Sequence, residues 1–214
     1  MKKLFLLDAY ALIYRAYYAL NKNPRITSKG LNTSAILGFT NTLYEVIHNE
    51  KPTHIAVAFD SHGPTIRHAE YAQYKAHRDN TPEDIVTSIP YIKEVLKSFG
   101  IHTIELPGYE ADDIIGTMAK KAEREGFITY MMTTDKDYGQ LVSENIFLYK
   151  PAHLGSGISI LGEKEICEKY NIKEPSQLID ILGIWGDAVD NIPGIKGIGE
   201  VGAKKLINEF GSIE

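Results

Sequence analysis

The sequence predicts an α/β fold: a mostly parallel central sheet with helices on both faces. Three observations predict it. Short, near-continuous apolar runs recur along the chain, stretches with helical spacing lie between them, and two of those stretches close on glycine. Apolar runs of four or five residues read as strands buried on both faces. Strands that alternate with helices require βαβ crossovers, which give a parallel sheet.

The first run, LFLL (4–7), ends at Asp8. IAVAF (55–59) ends at Asp60, TIEL (103–106) leads through a Pro-Gly turn to Glu110, Asp112 and Asp113, and ITYMM (128–132) leads to Asp135 and Asp137. Between them, 34–50 has apolar residues at helical spacing. The stretch 81–100 begins with Thr81 as N-cap and Pro82 at the first helical position, carries acids in its first turn and stops at Gly100. Pro90 is a candidate kink. The stretch 111–126 also ends on glycine, and the chain from about 163 onward reads as all-helical.

With 214 residues, of which 43% are hydrophobic, the chain can bury one sizeable core. The single Cys167 forms no internal disulfide and no Cys/His cluster has zinc spacing, which fits a reducing, cytoplasmic setting. No apolar run approaches the roughly 18–20 residues that span a bilayer. Asp8 interrupts the apolar start early, so that segment reads as a strand and not a signal peptide.

Four strands therefore end in carboxylates, and Asp187 and Asp190 follow in the loop WGDAVDNIPG. In a parallel sheet, sites form at the carboxyl ends of the strands. Any one of these acids could be a helix cap or a solvated turn residue. Nine that converge would repel strongly unless cations neutralise them. Oxygen donors without His or Cys favour Mg²⁺ or Mn²⁺, and several could hold two or more ions for attack on a phosphodiester. The net charge of −5 becomes +4 once these nine acids are set aside, so a polyanionic partner is not excluded.

The stretch PTIRHAEYAQYKAHR (64–78) interleaves Arg67, Lys75 and Arg78 with Tyr71 and Tyr74. It reads either as a solvated surface or as a phosphate-gripping segment, with Arg67, Tyr71, Lys75 and Arg78 on one helical face. Gly197, Gly199 and Gly202 match G-x-G-x-x-G, but a Pro/Gly loop precedes them where a dinucleotide site needs a strand. A glycine hairpin before the helix VGAKKLINEF suits a DNA backbone better.

The series DAYALIYRAYYAL, AVAFD, RHAEYAQYKAHR, GYEADDIIGT, TTDKDYGQLV and GDAVDNIPGIKGIGEVGAKKL resembles the 5′-nuclease domain of bacterial DNA polymerase I, in the flap endonuclease superfamily, from about residue 3 to 214. The resemblance implies a PIN/5′-nuclease-like core at 1–162 with a helical arch at about 65–100. It implies a helical part at 163–214 with a helix-hairpin-helix at about 183–212, apparently truncated. It implies a Mg²⁺-dependent 5′→3′ exonuclease and flap endonuclease. Asp8, Asp60, Glu110, Asp112 and Asp113 would form the first metal region, and Asp135, Asp137, Asp187 and Asp190 the second. Lys75 and Arg78 would contact the scissile phosphate, Arg67 would position the strand, and Tyr14 would stack on the terminal base, with Tyr74 beside the DNA. Gly194, Lys196, Gly197, Gly199, Lys204 and Lys205 would hold the duplex backbone, with a potassium ion at the hairpin. Partners would be DNA with 5′ flaps, nicks or 5′ ends, RNA primer hybrids, and a polymerase domain of the same chain; the protein would be a nucleoid-associated monomer. Tyr138-Gly139 departs from the bulkier aliphatics of relatives. Two rivals are a fragment that binds branched DNA without cutting it, and an aspartyl phosphatase, which would need a second acid at Tyr10.

Overall fold

A computed structural model describes residues 2–151 and 157–214. The chain runs β1 (Lys2–Asp8), α1 (Ala9–Ala19), α2 (Ser34–Glu45), β2 (His54–Ala58), α3 (Ile66–Glu70), α4 (Glu83–Ser98), β3 (His102–Ile104), α5 (Ala111–Arg124), β4 (Phe127–Met132), β5 (Ile146–Lys150), β6 (Ser159–Leu161), α6 (Glu163–Tyr170), α7 (Leu178–Trp185), β7 (Gly186–Asp187), β8 (Ile192–Pro193) and α8 (Glu200–Phe210). The sheet order is β3-β2-β1-β4-β5-β6. The first five strands are parallel and β6 is antiparallel. The order reverses direction at β1, so the crevice between the ends of β1 and β4 is the topological switch point.

Alternation along β1 divides the core. Phe5 and Leu7 face α1, α2 and α4, together with Val57, Met132 and Ile92. Leu4 and Leu6 face α5, together with Ala58, Met131 and Ile115. The same second cluster continues through Ile166, Leu178, Ala203 and Ile207, so the C-terminal helices share one core with the α5 face of the sheet. Near-complete burial of β1 on both sides is why its sequence shows no polar alternation.

The expected strands are present and two more complete the sheet, while a short antiparallel ribbon, β7–β8, interrupts the C-terminal part that the sequence reads as all-helical. β5 carries an apolar run, IFLY (146–149), like the expected strands, whereas β6 is a three-residue edge strand with two exposed residues. The helical run at 34–50 divides: regular helix stops at Glu45, a π-helical turn takes Val46–Glu50, and Lys51 closes it with φ 47°. α4 starts at Glu83 with Pro82 as the capping residue, one position later than expected; the Thr81 hydroxyl instead accepts from Tyr14. α4 runs through Pro90 to Ser98.

The basic stretch is the main departure. It is not one helix, and Arg67, Tyr71, Lys75 and Arg78 do not share a helical face. α3 ends at Glu70, Tyr71 is extended (φ −139°), and 72–77 form turns. Lys75 adopts left-handed backbone (φ 56°), and its N–H donates to the Asp190 carbonyl (2.9 Å). Side-chain pairing with the acids below overrides the helical spacing.

The C-terminal hairpin depends on glycine at two facing positions. A Cβ on Gly194 would lie 2.1 Å from the Trp185 carbonyl oxygen, and one on Gly186 (φ 76°) would lie 2.3 Å from the Gly194 nitrogen. The Ile195 N–H then donates to the Ile184 carbonyl (2.7 Å), locking α7 to the loop before α8.

A similar close approach joins α1 and α2, where a Cβ on Gly38 would lie 2.6 Å from the Ala16 Cβ. Gly38→Val is expected to cost about 1–3 kcal/mol by overpacking. The double variant Ala16→Gly/Gly38→Ala, which moves the methyl across the contact, is expected to recover part of the loss in urea denaturation.

Candidate active site

All nine predicted acids stand at or beside the carboxyl edge of the sheet. Asp8 ends β1 and caps α1: its Oδ1 accepts from the Ala11 N–H (3.0 Å) and its Oδ2 from the Thr133 hydroxyl (2.9 Å). Asp60, past β2, accepts from the Ala111 N–H (2.6 Å), which ties β2 to the start of α5. Glu110 is the N-cap of α5, and Asp113 accepts from the Glu110 N–H (3.0 Å). Asp112 accepts from the Tyr138 hydroxyl (2.9 Å). Asp135 accepts from the Asp137 N–H (2.9 Å). Asp187 accepts from the Val189 N–H (2.8 Å) and turns the loop that carries Asp190.

Eight of the acids fall into two groups according to what neutralises them, and Asp137, 3.3 Å from Lys136 Nζ, shares that cation with Asp187. Arg67 makes a double hydrogen bond to Asp113, 2.8 Å on each arm. Lys75 Nζ lies 2.9 Å from Glu110, Lys136 Nζ lies 2.5 Å from Asp187, and Arg78 pairs with Asp190. The Tyr74 hydroxyl donates toward Glu110 (2.9 Å) and Asp190 (3.1 Å). Asp8, Asp60, Asp112 and Asp135 make no ion pair among the described residues.

Burial raises three of the unpaired acids. Burial, then repulsion from Asp60 and Asp135, pushes Asp8 up to about 6 against the pull of its two hydrogen bonds. Burial and the Asp8 charge push Asp112 up to about 7. Burial also raises Asp60 and Asp137. Arg67 holds Asp113 low. Burial works to raise Glu110 and Asp187, but the hydrogen bonds from Lys75 and Lys136 outweigh it and both end below their ordinary values.

The donor set fits a hard divalent cation. It is all oxygen, four of its carboxylates lack a cation, and Asp137 Oδ1 is buried without a hydrogen-bond partner, although Lys136 Nζ lies 3.3 Å away. Among the described residues, no three acidic, His or Cys side chains converge closely enough to hold one ion. Loading would therefore need side-chain turns, and the acids now paired with lysine and arginine are the ones that must change partner.

Of the other predicted residues, Tyr14, on α1 behind Asp8, stacks on Tyr18 and donates to the Thr81 hydroxyl (2.9 Å). Gly197 (φ 86°) and Gly199 precede α8 as a turn and its N-cap. Lys196 and Lys205 lie on the same hairpin unit. Lys204 is engaged elsewhere: it pairs with Glu200 (2.6 Å), donates to the Lys169 carbonyl (3.1 Å) and covers the Tyr170 ring. Three site residues escaped the sequence reading: Thr133, Lys136 and Tyr138. Lys136 lay between two of the predicted acids. Tyr138 was visible only as a departure from relatives. It is almost fully buried, and Gly139 beside it admits Leu178, whose Cδ2 would stand 2.9 Å from an added Cβ.

A carboxylate cluster at the switch point of a parallel sheet, beneath a basic, tyrosine-bearing segment, is the layout of a phosphodiester-cutting domain. Comparisons with known proteins place the chain more closely. The family model "5′-3′ exonuclease, N-terminal resolvase-like domain" matches residues 3–171, and "5′-3′ exonuclease, C-terminal SAM fold" matches 173–214. The chain belongs to the 5′-3′ exonuclease family, a family of nucleases. It is 40% identical over 214 residues to a 5′-3′ exonuclease of Aquifex aeolicus, covering all of this chain and 72% of that one. It is 41% identical to DNA polymerase I of Bacillus subtilis, again over its whole length, but spans only 24% of that polymerase. Its fold is similar to that of the bacteriophage T5 D15 flap endonuclease solved with DNA and metal ions (TM-score 0.75, 21% identity, 99% of this chain and 76% of that one).

The unpaired acids make stability pH-dependent. Asp112 keeps its proton up to about 7 when folded, against an ordinary 3.8, so between these values the fold binds more protons than the unfolded chain. Stability conferred by the protonated carboxyl is then lost as pH rises. Asp112→Asn, in chelator, is expected to raise the melting temperature by an amount that grows from the ordinary carboxylate range to about pH 7 and levels off above. A melting temperature shift independent of pH would contradict this charge assignment.

Proposed function

We propose that this chain is a divalent-metal-dependent 5′→3′ exonuclease and 5′-flap endonuclease acting on DNA. The observation that carries the reading is the group of cation-free, mutually repelling carboxylates at the β1/β4 crevice, directly beneath Arg67, Tyr74, Lys75 and Arg78. Asp8, Asp60, Asp112 and Asp135, joined by Glu110, Asp113, Asp137, Asp187 and Asp190 as their present partners move, would hold two or more ions; the oxygen-only donor set favours Mg²⁺ or Mn²⁺. Bound ions would supply a nucleophilic water and neutralise the phosphate under attack.

The chain's own residues do the rest. Lys75 and Arg78, released from Glu110 and Asp190, meet the scissile phosphate and offset charge in the transition state. Arg67 positions the strand, Tyr74 lies beside it and Tyr14 stacks on the terminal base. The glycine hairpin from Gly194 to Gly199, with Lys196 and Lys205, holds the duplex backbone without reading sequence, and a potassium ion at the hairpin, as the family resemblance implies, would bridge it to a phosphate. Residues 1–162 would thus supply most of the cutting site, and 163–214 would complete it with Asp187 and Asp190 and grip the duplex. The products are a 5′-phosphate and a 3′-hydroxyl. Substrates would be flaps, nicks, 5′ ends and RNA primer hybrids, met in the cytoplasm by a monomer that works beside a polymerase domain in the manner of its longer relatives. Membership of a nuclease family disfavours binding without cutting.

The test is cleavage of an end-labelled 5′-flap duplex with magnesium, with EDTA and with Asp112→Asn. Magnesium-dependent flap release, abolished in the other two arms, is expected; undiminished cleavage by Asp112→Asn would sink the assignment. Lys75→Met is expected to lower kcat by about 10²–10³-fold, the range for loss of one transition-state donor, with a smaller change in KM.

A further inference from the structure

We infer that the outer face of α5 is a track for single-stranded nucleic acid, carrying the unpaired 5′ arm away from the cutting site; this rests on the flap-cutting reading above. A groove of about 1060 Å³ begins at Arg67, Tyr74 and Asp113 and runs the length of α5 to Lys120, Lys121 and Arg124. From Asp113 to Arg124 the floor is about 16 Å long, at 1.5 Å per residue. That is long enough for a few extended nucleotides.

The groove is continuous with the candidate active site. Its wall is the loop between β3 and α5, which is bonded to the loop after Asp60 through Ser61 Oγ and the Tyr109 carbonyl (3.1 Å). It is bonded to the basic segment through the Ile66 N–H and the Gly108 carbonyl (3.1 Å). That wall presents Leu106 and Tyr109 to solvent, 48% and 46% exposed. The far end is cationic. Lys121 and Arg124 are exposed and make no ion pair among the described residues, and Lys120 has only Glu123 at 3.6 Å.

Cations in the last turn of α5 are also favoured by the helix dipole. The dipole accounts for their sign but not for an exposed tyrosine and leucine along the path that leads to them. Aromatic and apolar walls for bases combined with cations for phosphates are the combination that binds single strands without sequence preference. A duplex is too wide for a floor one helix across, and an acidic protein surface would have no use for a path that starts at the acid cluster.

The experiment uses the whole chain with calcium in place of magnesium and two fluorescent duplexes, one with a long 5′ single-stranded arm and one with a single-nucleotide arm. Binding is read by anisotropy as salt is varied. Lys121→Gln/Arg124→Gln alters only exposed side chains, and its melting temperature checks the fold. For the long arm, the variant is expected to bind more weakly, with a salt slope smaller by about 1.4, the loss of two single-strand phosphate contacts. For the short arm, it is expected to match the wild type. Unchanged long-arm binding would overturn the track, including the case in which the groove docks a protein. Equal losses on both DNAs would also overturn it, since the cations would then be general attractors. A photo-crosslinker at Tyr109→Cys is expected to label the arm and not the duplex; labelling of the duplex alone would refute the path. If magnesium cleavage of the flap fails while long-arm binding depends on Lys121 and Arg124, the nuclease reading falls and the track stands as a binding site.

Discussion

Nine carboxylates at one edge of a sheet cannot all stay ionised unless something offsets their repulsion. The protein offsets about half of it internally. Arg67, Lys75 and Arg78 each take chiefly one acid and Lys136 faces two, and the first three come from one segment, α3 and the turns after it, pulled down over the sheet. The other acids are left to burial and to neutral donors, namely Thr133, Tyr138 and the N–H groups of Ala11 and Ala111. Hydrogen bonds from neutral groups orient a carboxylate without cancelling its charge. The site is therefore ordered and still demands cations.

This arrangement depends on a frame that does not yield. β1 is buried on both faces, its register against β2 and β4 is continuous, and Asp8 sits where the strand order reverses. α5 brings Glu110, Asp112 and Asp113 to the same edge because its buried face is fixed against Leu4 and Leu6. The C-terminal helices add Asp187 and Asp190 by packing on that same core, so a distant part of the chain contributes to the site through shared hydrophobic burial.

Much of this was legible in the sequence. The four main strands show as apolar runs because they are buried on both sides, and the acids stand out because each follows directly on a run. The fold class and the sheet edge that carries the site follow from those two facts. β5 carries an apolar run, IFLY, of the same kind as the others, whereas β6 was not legible, since a mostly exposed three-residue edge strand leaves no apolar run. The form of 64–78 was not legible either. Its spacing suits a helix, but ion pairs formed across long sequence separations outweigh local preference, and no local pattern encodes them. Tyr138 was readable only as an oddity, and its meaning, a hydroxyl aimed at Asp112 beside a glycine that admits Leu178, is tertiary.

Lys75 makes the conflict between local and distant forces concrete. A residue with a Cβ costs about 1–2 kcal/mol in left-handed backbone, and glycine or asparagine would fit there more easily. Only a cation, however, can answer Glu110 from that position. The chain thus spends conformational energy to keep charge where a more comfortable residue would have none. Substitutions at 75 consequently read out two opposed effects: asparagine relaxes the backbone while deleting the charge, and arginine keeps the charge while retaining the strain. Relief of the backbone strain favours asparagine, but the buried Glu110 would then lose its nearest cation, so comfort of the main chain and balance of charge pull this one position in opposite directions.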